Sequence, residues 1–127
     1  MDCVTIGDSI AVGIGHAAAC YRMAAIGRNA FDQAALIKPV SIDTAIISLG
    51  TNRPNDPNTY VDLMYIRSKV TARRVVWIIP YNPVVSETVR KVARHHGDRY
   101  VELSDFKTSD GMHPNVYKPV ADAATKD

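Results

Sequence analysis

Two short motifs at opposite ends of the chain could do chemistry together: Gly7-Asp8-Ser9, directly after an apolar run, and Asp110-Gly111-Met112-His113-Pro114 near the C-terminus. They supply a hydroxyl, an imidazole and a carboxylate. A serine hydroxyl attacks a carbonyl carbon poorly unless an imidazole removes its proton, and the imidazole works best when a carboxylate fixes its tautomer and stabilises the cation it becomes. Ser9 is therefore the candidate nucleophile, His113 the candidate base and Asp110 the candidate orienting acid. Between them lies Ile47-Ser48-Leu49-Gly50-Thr51-Asn52, an apolar strand-like run that ends in a glycine turn and delivers an Asn amide, whose N–H can donate to a developing oxyanion. Only folding can unite groups so far apart in sequence.

Together with Gly27, which follows a second strand-like run at 22–26, these motifs make the chain resemble the SGNH or GDSL family of hydrolases. Gly7-Asp8-Ser9 is similar to the family's nucleophile block, Gly27 to its backbone oxyanion block, Gly50-Thr51-Asn52 to its Gly-x-Asn block, and Asp110-x-x-His113 to its acid and base block, all in family order. The resemblance implies an acyl-enzyme on Ser9 and an oxyanion hole made by the backbone N–H groups of Ser9 and Gly27 with the Asn52 amide. It implies no metal and no organic cofactor, because the four blocks already contain every role. It also implies a flavodoxin-like, five-stranded parallel sheet in the order 2-1-3-4-5. One departure stands out: Arg53 follows Asn52 where many relatives have an acidic residue that braces the loop, which bears on loop geometry and substrate choice. Ser9 is followed by Ile10-Ala11, so this is not the Gly-x-Ser-x-Gly elbow of the α/β-hydrolase fold.

The elements that must position these groups follow from the patterning. Residues 4–6 read as a short buried strand and 9–20 as a helix with Ser9 as its N-cap, which puts the nucleophile where backbone N–H groups and the helix dipole favour negative charge. Residues 21–26 read as a strand, 31–38 as a short helix ended by Pro39, and 44–49 as a third strand; 51–58, dense in Asn, Pro and Asp, reads as a loop. The spacing of Val61, Met64, Tyr65 and Val70 predicts a helix over 59–72, followed by a strand at 74–79 stopped by Pro80. A helix at 86–96, capped by Ser86 and ended by Gly97, a fifth strand at 100–103 and a last helix at 115–124 complete the chain. Strands alternating with helices imply parallel pairing with right-handed crossovers, hence one domain over 1–127 built as a three-layer α/β/α sandwich. In such a sheet ligands bind beyond the carboxyl ends of the strands, where all four blocks would converge. Tyr81 and Asn82 fall on that side and, with Arg53, are candidates to contact substrate; simple turn formation is the competing role for Tyr81 and Asn82.

The composition suits this class. Of 127 residues, 46% are hydrophobic and 22% charged, far from the disordered range, and a chain of this length buries roughly two-thirds of its unfolded surface. A net charge of +2, with the basic residues scattered along helix-like segments, argues against a nucleic-acid partner. No segment approaches the roughly 20 apolar residues of a membrane span. The first strand begins almost at Met1 with no signal-peptide pattern ahead of it, so a cytoplasmic or virion-associated protein is expected. Cys3 and Cys20 could approach each other across a strand and its returning helix, but two cysteines make no disulfide framework and are read as buried free thiols. The adjacent His95 and His96 point to different helix faces and suggest no metal site. His16 reads as a helix-end or packing residue, and Asp105, outside the Asp-x-x-His spacing, as a loop cap rather than the orienting acid.

These readings converge on a small serine esterase for short-chain, acetyl-type esters. The blocks are joined by near-minimal connections, which leaves an open site without an acyl tunnel, and the polar loop after Asn52 suits a carbohydrate bearing O-acetyl groups better than a lipid. Two other readings use the same residues: an O-acyltransferase that passes the acyl group from Ser9 to a sugar hydroxyl, and a non-catalytic flavodoxin-like binding or virion module.

Overall fold

Five parallel strands, β1 (Cys3–Gly7), β2 (Tyr21–Ala24), β3 (Val40–Ser48), β4 (Val70–Ile79) and β5 (Arg99–Glu102), form one sheet in the order β2-β1-β3-β4-β5 in the computed structural model, which describes residues 2–127. The helices are α1 (Ser9–Ala18), α2 (Ala30–Leu36), α3 (Thr59–Ser68), α4 (Pro83–His96) and α5 (Tyr117–Thr125). Unbroken apolar runs are what a sheet covered on both faces requires, and the two faces sort them cleanly. Ile47, Trp77 and Ile79 pack with Leu63, Ile66, Val85 and Val89 under α3 and α4. Their neighbours Ile46, Val76 and Ile78 pack with Ile10, Ile14, Val120 and Ala121 under α1 and α5. The architecture is the expected three-layer sandwich with the expected strand order.

Several element boundaries differ from the pattern reading, each for a local reason. β3 begins at Val40 and β4 at Val70, because Val40 pairs with Val70 and the polar stretch that follows is stitched across the pair, with Arg73 Nε donating to Asp43 at 2.8 Å. The same pairing ends α3 at Ser68 instead of residue 72. Ser9 is the first residue of α1 and not its cap. Asp8 caps the helix, with Oδ1 accepting from the backbone N–H groups of Ile10 and Ala11. Nor does Ser86 cap α4: Asn82 Oδ1 accepts from Val84 N at 2.9 Å and Pro83, with no N–H to leave unsatisfied, occupies the first turn. Gly97 ends α4 in the left-handed region as expected. α5 starts at Tyr117, since Val116 is extended.

Cys3 and Cys20 are joined in a disulfide, which corrects the free-thiol reading. The approach of strand start to helix end brings their Cα atoms to 4.9 Å, within the range a disulfide spans. The bridge closes the β1–α1 unit at the end of the sheet opposite Ser9.

Candidate active site

Ser9, Gly27, Asn52, Tyr81 and the Asp110–His113 loop all lie beyond the carboxyl ends of the strands, and Ser9, His113 and Asp110 form a hydrogen-bonded row. The Ser9 hydroxyl lies 2.9 Å from His113 Nε2, and His113 Nδ1 lies 2.8 Å from Asp110 Oδ2. When Ser9 donates to Nε2, the ring proton sits on Nδ1 and is donated to the carboxylate. The Asp110 carboxyl is held well below the usual carboxylate range, first by its bond to the His113 ring and then by the backbone N–H groups of His113 and Met112. Its other oxygen accepts both of those N–H bonds at 2.8 Å. Thr108 closes the loop from beneath: its hydroxyl lies 2.6 Å from the His113 carbonyl and receives Gly111 N. Asp105 ends a 3-10 turn over Leu103–Asp105, and Asp110 is the acid at the ring.

The donors beside Ser9 arise from capping geometry. Asp8 consumes the N–H groups of Ile10 and Ala11, the second and third of α1, so the N–H of Ser9 itself is left without a partner among the described residues. The Gly27 N–H is equally uncommitted. Asn52 Nδ2 donates to the Arg28 carbonyl at 3.0 Å, which ties the Asn52 turn to the Gly27–Arg28 turn; an amide nitrogen carries two hydrogens, so one remains to donate elsewhere. Arg53 is exposed with φ +54°, an uncommon conformation for a residue with a Cβ.

A cavity of about 480 Å³ adjoins this row. Gly111 and Met112 of the histidine loop bound it on one side, Thr51 and Pro54 flanking Asn52 on another, and Tyr81, Asn82 and Pro83 close it. Tyr81 is fixed by donating from its hydroxyl to the Phe106 carbonyl at 2.9 Å, while Asn82 both caps α4 and lines the cavity, so its turn-forming and pocket-lining roles coexist. Arg53 is not among the lining residues. A second cavity of about 440 Å³, around the disulfide at the far end of β1, contains none of these groups. His95 is exposed and His96 Nδ1 lies 2.9 Å from the Val92 carbonyl; among the described residues no three His, Cys, Asp or Glu side chains come together as metal ligands would. His16 is exposed in the last turn of α1. No helix among the described residues is long and apolar enough to cross a membrane.

Three residues support the row in roles the sequence reading did not assign: Asp8, Ser48 and Thr108. Ser48 Oγ donates to Asp8 Oδ1 at 3.0 Å from the last position of β3. A carboxylate just before a helix start is a recognisable cap signal, whereas a serine closing an apolar run and a threonine near Asp110 carry no signal short of the folded geometry.

No protein-family model and no curated protein sequence matches the chain. Solved structures do. A member of the lipolytic protein G-D-S-L family from Veillonella parvula is similar with a TM-score of 0.69 at 13% identity, covering 99% of this chain and 98% of that one. A carbohydrate acetylesterase from Sinorhizobium meliloti is similar with a TM-score of 0.60 at 13% identity, covering 96% of this chain and 97% of that one. The likeness runs end to end and establishes the fold as that of the SGNH/GDSL hydrolases.

Proposed function

We propose that a chain with this fold and this row of side chains is a serine esterase that cleaves short-chain acyl esters through an acyl-enzyme on Ser9. The observation that carries the reading is the continuous Ser9–His113–Asp110 hydrogen bonding, 2.9 Å and then 2.8 Å, beside uncommitted N–H donors. His113 Nε2 takes the Ser9 proton as Oγ attacks the ester carbonyl, and the ionised Asp110 stabilises the imidazolium that forms. The tetrahedral oxyanion is received by the N–H groups of Ser9 and Gly27 and the free hydrogen of Asn52 Nδ2. His113 then protonates the leaving alcohol, and water activated by the same imidazole hydrolyses the acyl-enzyme.

The substrate class we favour is an acetyl-type ester on a carbohydrate. Tyr81 gives the adjoining cavity aromatic surface and Asn82, whose Oδ1 caps α4, a side-chain amide with N–H groups to donate, and one protein of the same fold is a carbohydrate acetylesterase. The direct test is covalent labelling of the native protein by a fluorophosphonate and its disappearance in Ser9→Ala; absence of labelling in the native protein would favour a binding module. The kcat/KM for p-nitrophenyl acetate, butyrate and octanoate then sets chain length. Each unburied methylene forfeits up to ~0.8 kcal/mol, so a steady rise to octanoate would reveal an acyl groove and replace the short-chain reading.

A further inference from the structure

One buried ionisable group takes no part in this chemistry. Asp8 is fully buried directly before Ser9, and its Oδ1 gathers three donors: Ile10 N at 3.1 Å, Ala11 N at 3.3 Å and Ser48 Oγ at 3.0 Å. Its own N–H donates to the Ser48 carbonyl at 3.1 Å. Asp8 and Ser48 therefore clasp each other in both directions, at a point where β1 and β3 come so close that a Cβ on Gly7 would lie 1.8 Å from the Ser48 carbonyl oxygen. On one side of the clasp the next residue is Ser9. On the other, the chain passes through Leu49 and Gly50 to Asn52.

Capping alone explains little of this. A helix N-terminus is served by any Ser, Thr, Asn or Asp oxygen, and the Ser48 donor comes from another strand. An amide oxygen would accept these three donors as neutral bonds only, whereas an ionised carboxylate oxygen takes them as charge-assisted bonds, which are stronger. The arrangement is also costly: Oδ2 is buried with no hydrogen-bond partner, and burial pushes the carboxyl up to about 6. A cap chosen for stability would avoid that.

We propose that Asp8 is a positioning residue for the acyl-transfer reaction, its two-way clasp with Ser48 fixing the Ser9 hydroxyl and N–H relative to the Asn52 amide before substrate arrives. The role rests on the esterase reading above. Because Asp8 takes the second and third N–H groups of α1, it also leaves the first one facing the site. A displacement on the order of 1 Å between nucleophile and oxyanion donors is enough to cost ~10²-fold in rate.

The experiment compares native protein with Asp8→Asn, Ser48→Ala and the double variant, each checked for folding by thermal melting. Read out are kcat and KM for p-nitrophenyl acetate and the rate of Ser9 phosphorylation by diethyl p-nitrophenyl phosphate. Each single variant should lower kcat by roughly 10- to 100-fold and slow phosphorylation in parallel, with KM within about twofold, and the double variant should be no worse than the poorer single one. Ser48→Ala leaves the helix cap intact, so it decides the matter even if Asp8→Asn unfolds. Rates within twofold of native in Ser48→Ala would reduce Asp8 to a cap, while native turnover and labelling stood. A native protein that neither turns over nor labels would overturn the esterase reading, and this role with it.

Discussion

The two carboxylates that bracket Ser9 are held in opposite ways. Asp8 is locked into the end of the sheet, fully buried, bonded to two elements, and raised to about 6 by burial. Asp110 stands on an exposed loop, its side chain 54% accessible, and is pulled below its usual range by the histidine it touches and by the N–H groups of its own turn. Every partner of Asp110 lies within its own loop, at Thr108, Met112 and His113. Ser9, the proposed nucleophile, is thus braced through Asp8 by packed strands, and His113, the proposed base, by a local turn. In the proposed mechanism, the half of the site that holds the transition-state geometry is built on the core, and the half that shuttles a proton is built on a self-contained loop.

The sharpest way to break this division is to remove one group from each half. Ser9→Ala and His113→Ala should each lower ester turnover by up to ~10⁶-fold, with the double variant little worse, because the two act as a unit. Additive losses in steady-state kinetics would mean that the halves work independently.

The loop half alone is probed by Asp110→Asn, which keeps an acceptor beside the His113 ring but removes the charge that stabilises the imidazolium. A fall in kcat of roughly 10²- to 10⁴-fold is expected, with only a small fall in melting temperature, because Asp110 is exposed and its bonds stay within its own loop. Asp105→Asn should stay within about twofold of native. If Asp105→Asn were the more damaging change, the orienting acid would have been misassigned.

How much of this was legible without the fold depends on where the determining contacts lie. The meeting of Ser9, His113 and Asp110 could be anticipated because Asp110 and His113 sit on one turn and the glycine-terminated strands announce loops at one end of a parallel sheet. The strand starts at Val40 and Val70 could not, since they exist only through pairing with each other. Asp8 was visible as a motif residue, but its partner Ser48 is buried at the far side of a strand pairing. The disulfide was missed for another reason: two cysteines gave no framework to argue from, although the strand-and-return geometry had brought their positions together.

That disulfide offers a separation of stability from activity. It closes a loop between residues 17 apart in sequence at the end of β1 away from the site, and a loop of this size stabilises by about 3 kcal/mol in the chain-entropy picture. Reduction, or Cys3→Ser with Cys20→Ser, should lower the urea midpoint accordingly and leave kcat/KM on folded protein within about twofold. A large loss of kcat/KM would show that the bracing of Ser9 extends down the whole β1–α1 unit.

The smallest effect expected is also the one that most directly contrasts the two carboxylates, because their linkage to folding has opposite signs. A carboxyl depressed on folding, like that of Asp110, supports the fold above its unfolded titration range and loses that support as pH falls. Asp8 does the reverse. Its folded value of about 6 exceeds its ordinary value of 3.8, so the folded protein takes up this proton first, and the stability tied to Asp8 rises as pH drops through 6 towards 4. The ceiling is about 3 kcal/mol, of which about 2 kcal/mol falls between pH ~7.5 and pH ~4.5. Tyr117 of α5 faces the same charge: burial first, and then Asp8, hold its phenol above the usual range, so it stays neutral throughout this window and does not confuse the reading. Urea denaturation of native protein and Asp8→Asn at the two pH values isolates the Asp8 contribution, because every other titrating group is common to both. The native protein should gain about 2 kcal/mol on the variant at the lower pH. A difference independent of pH would mean that Asp8 is ionised across the range, held down by its three donors against burial, and the contrast with Asp110 would then be one of location only.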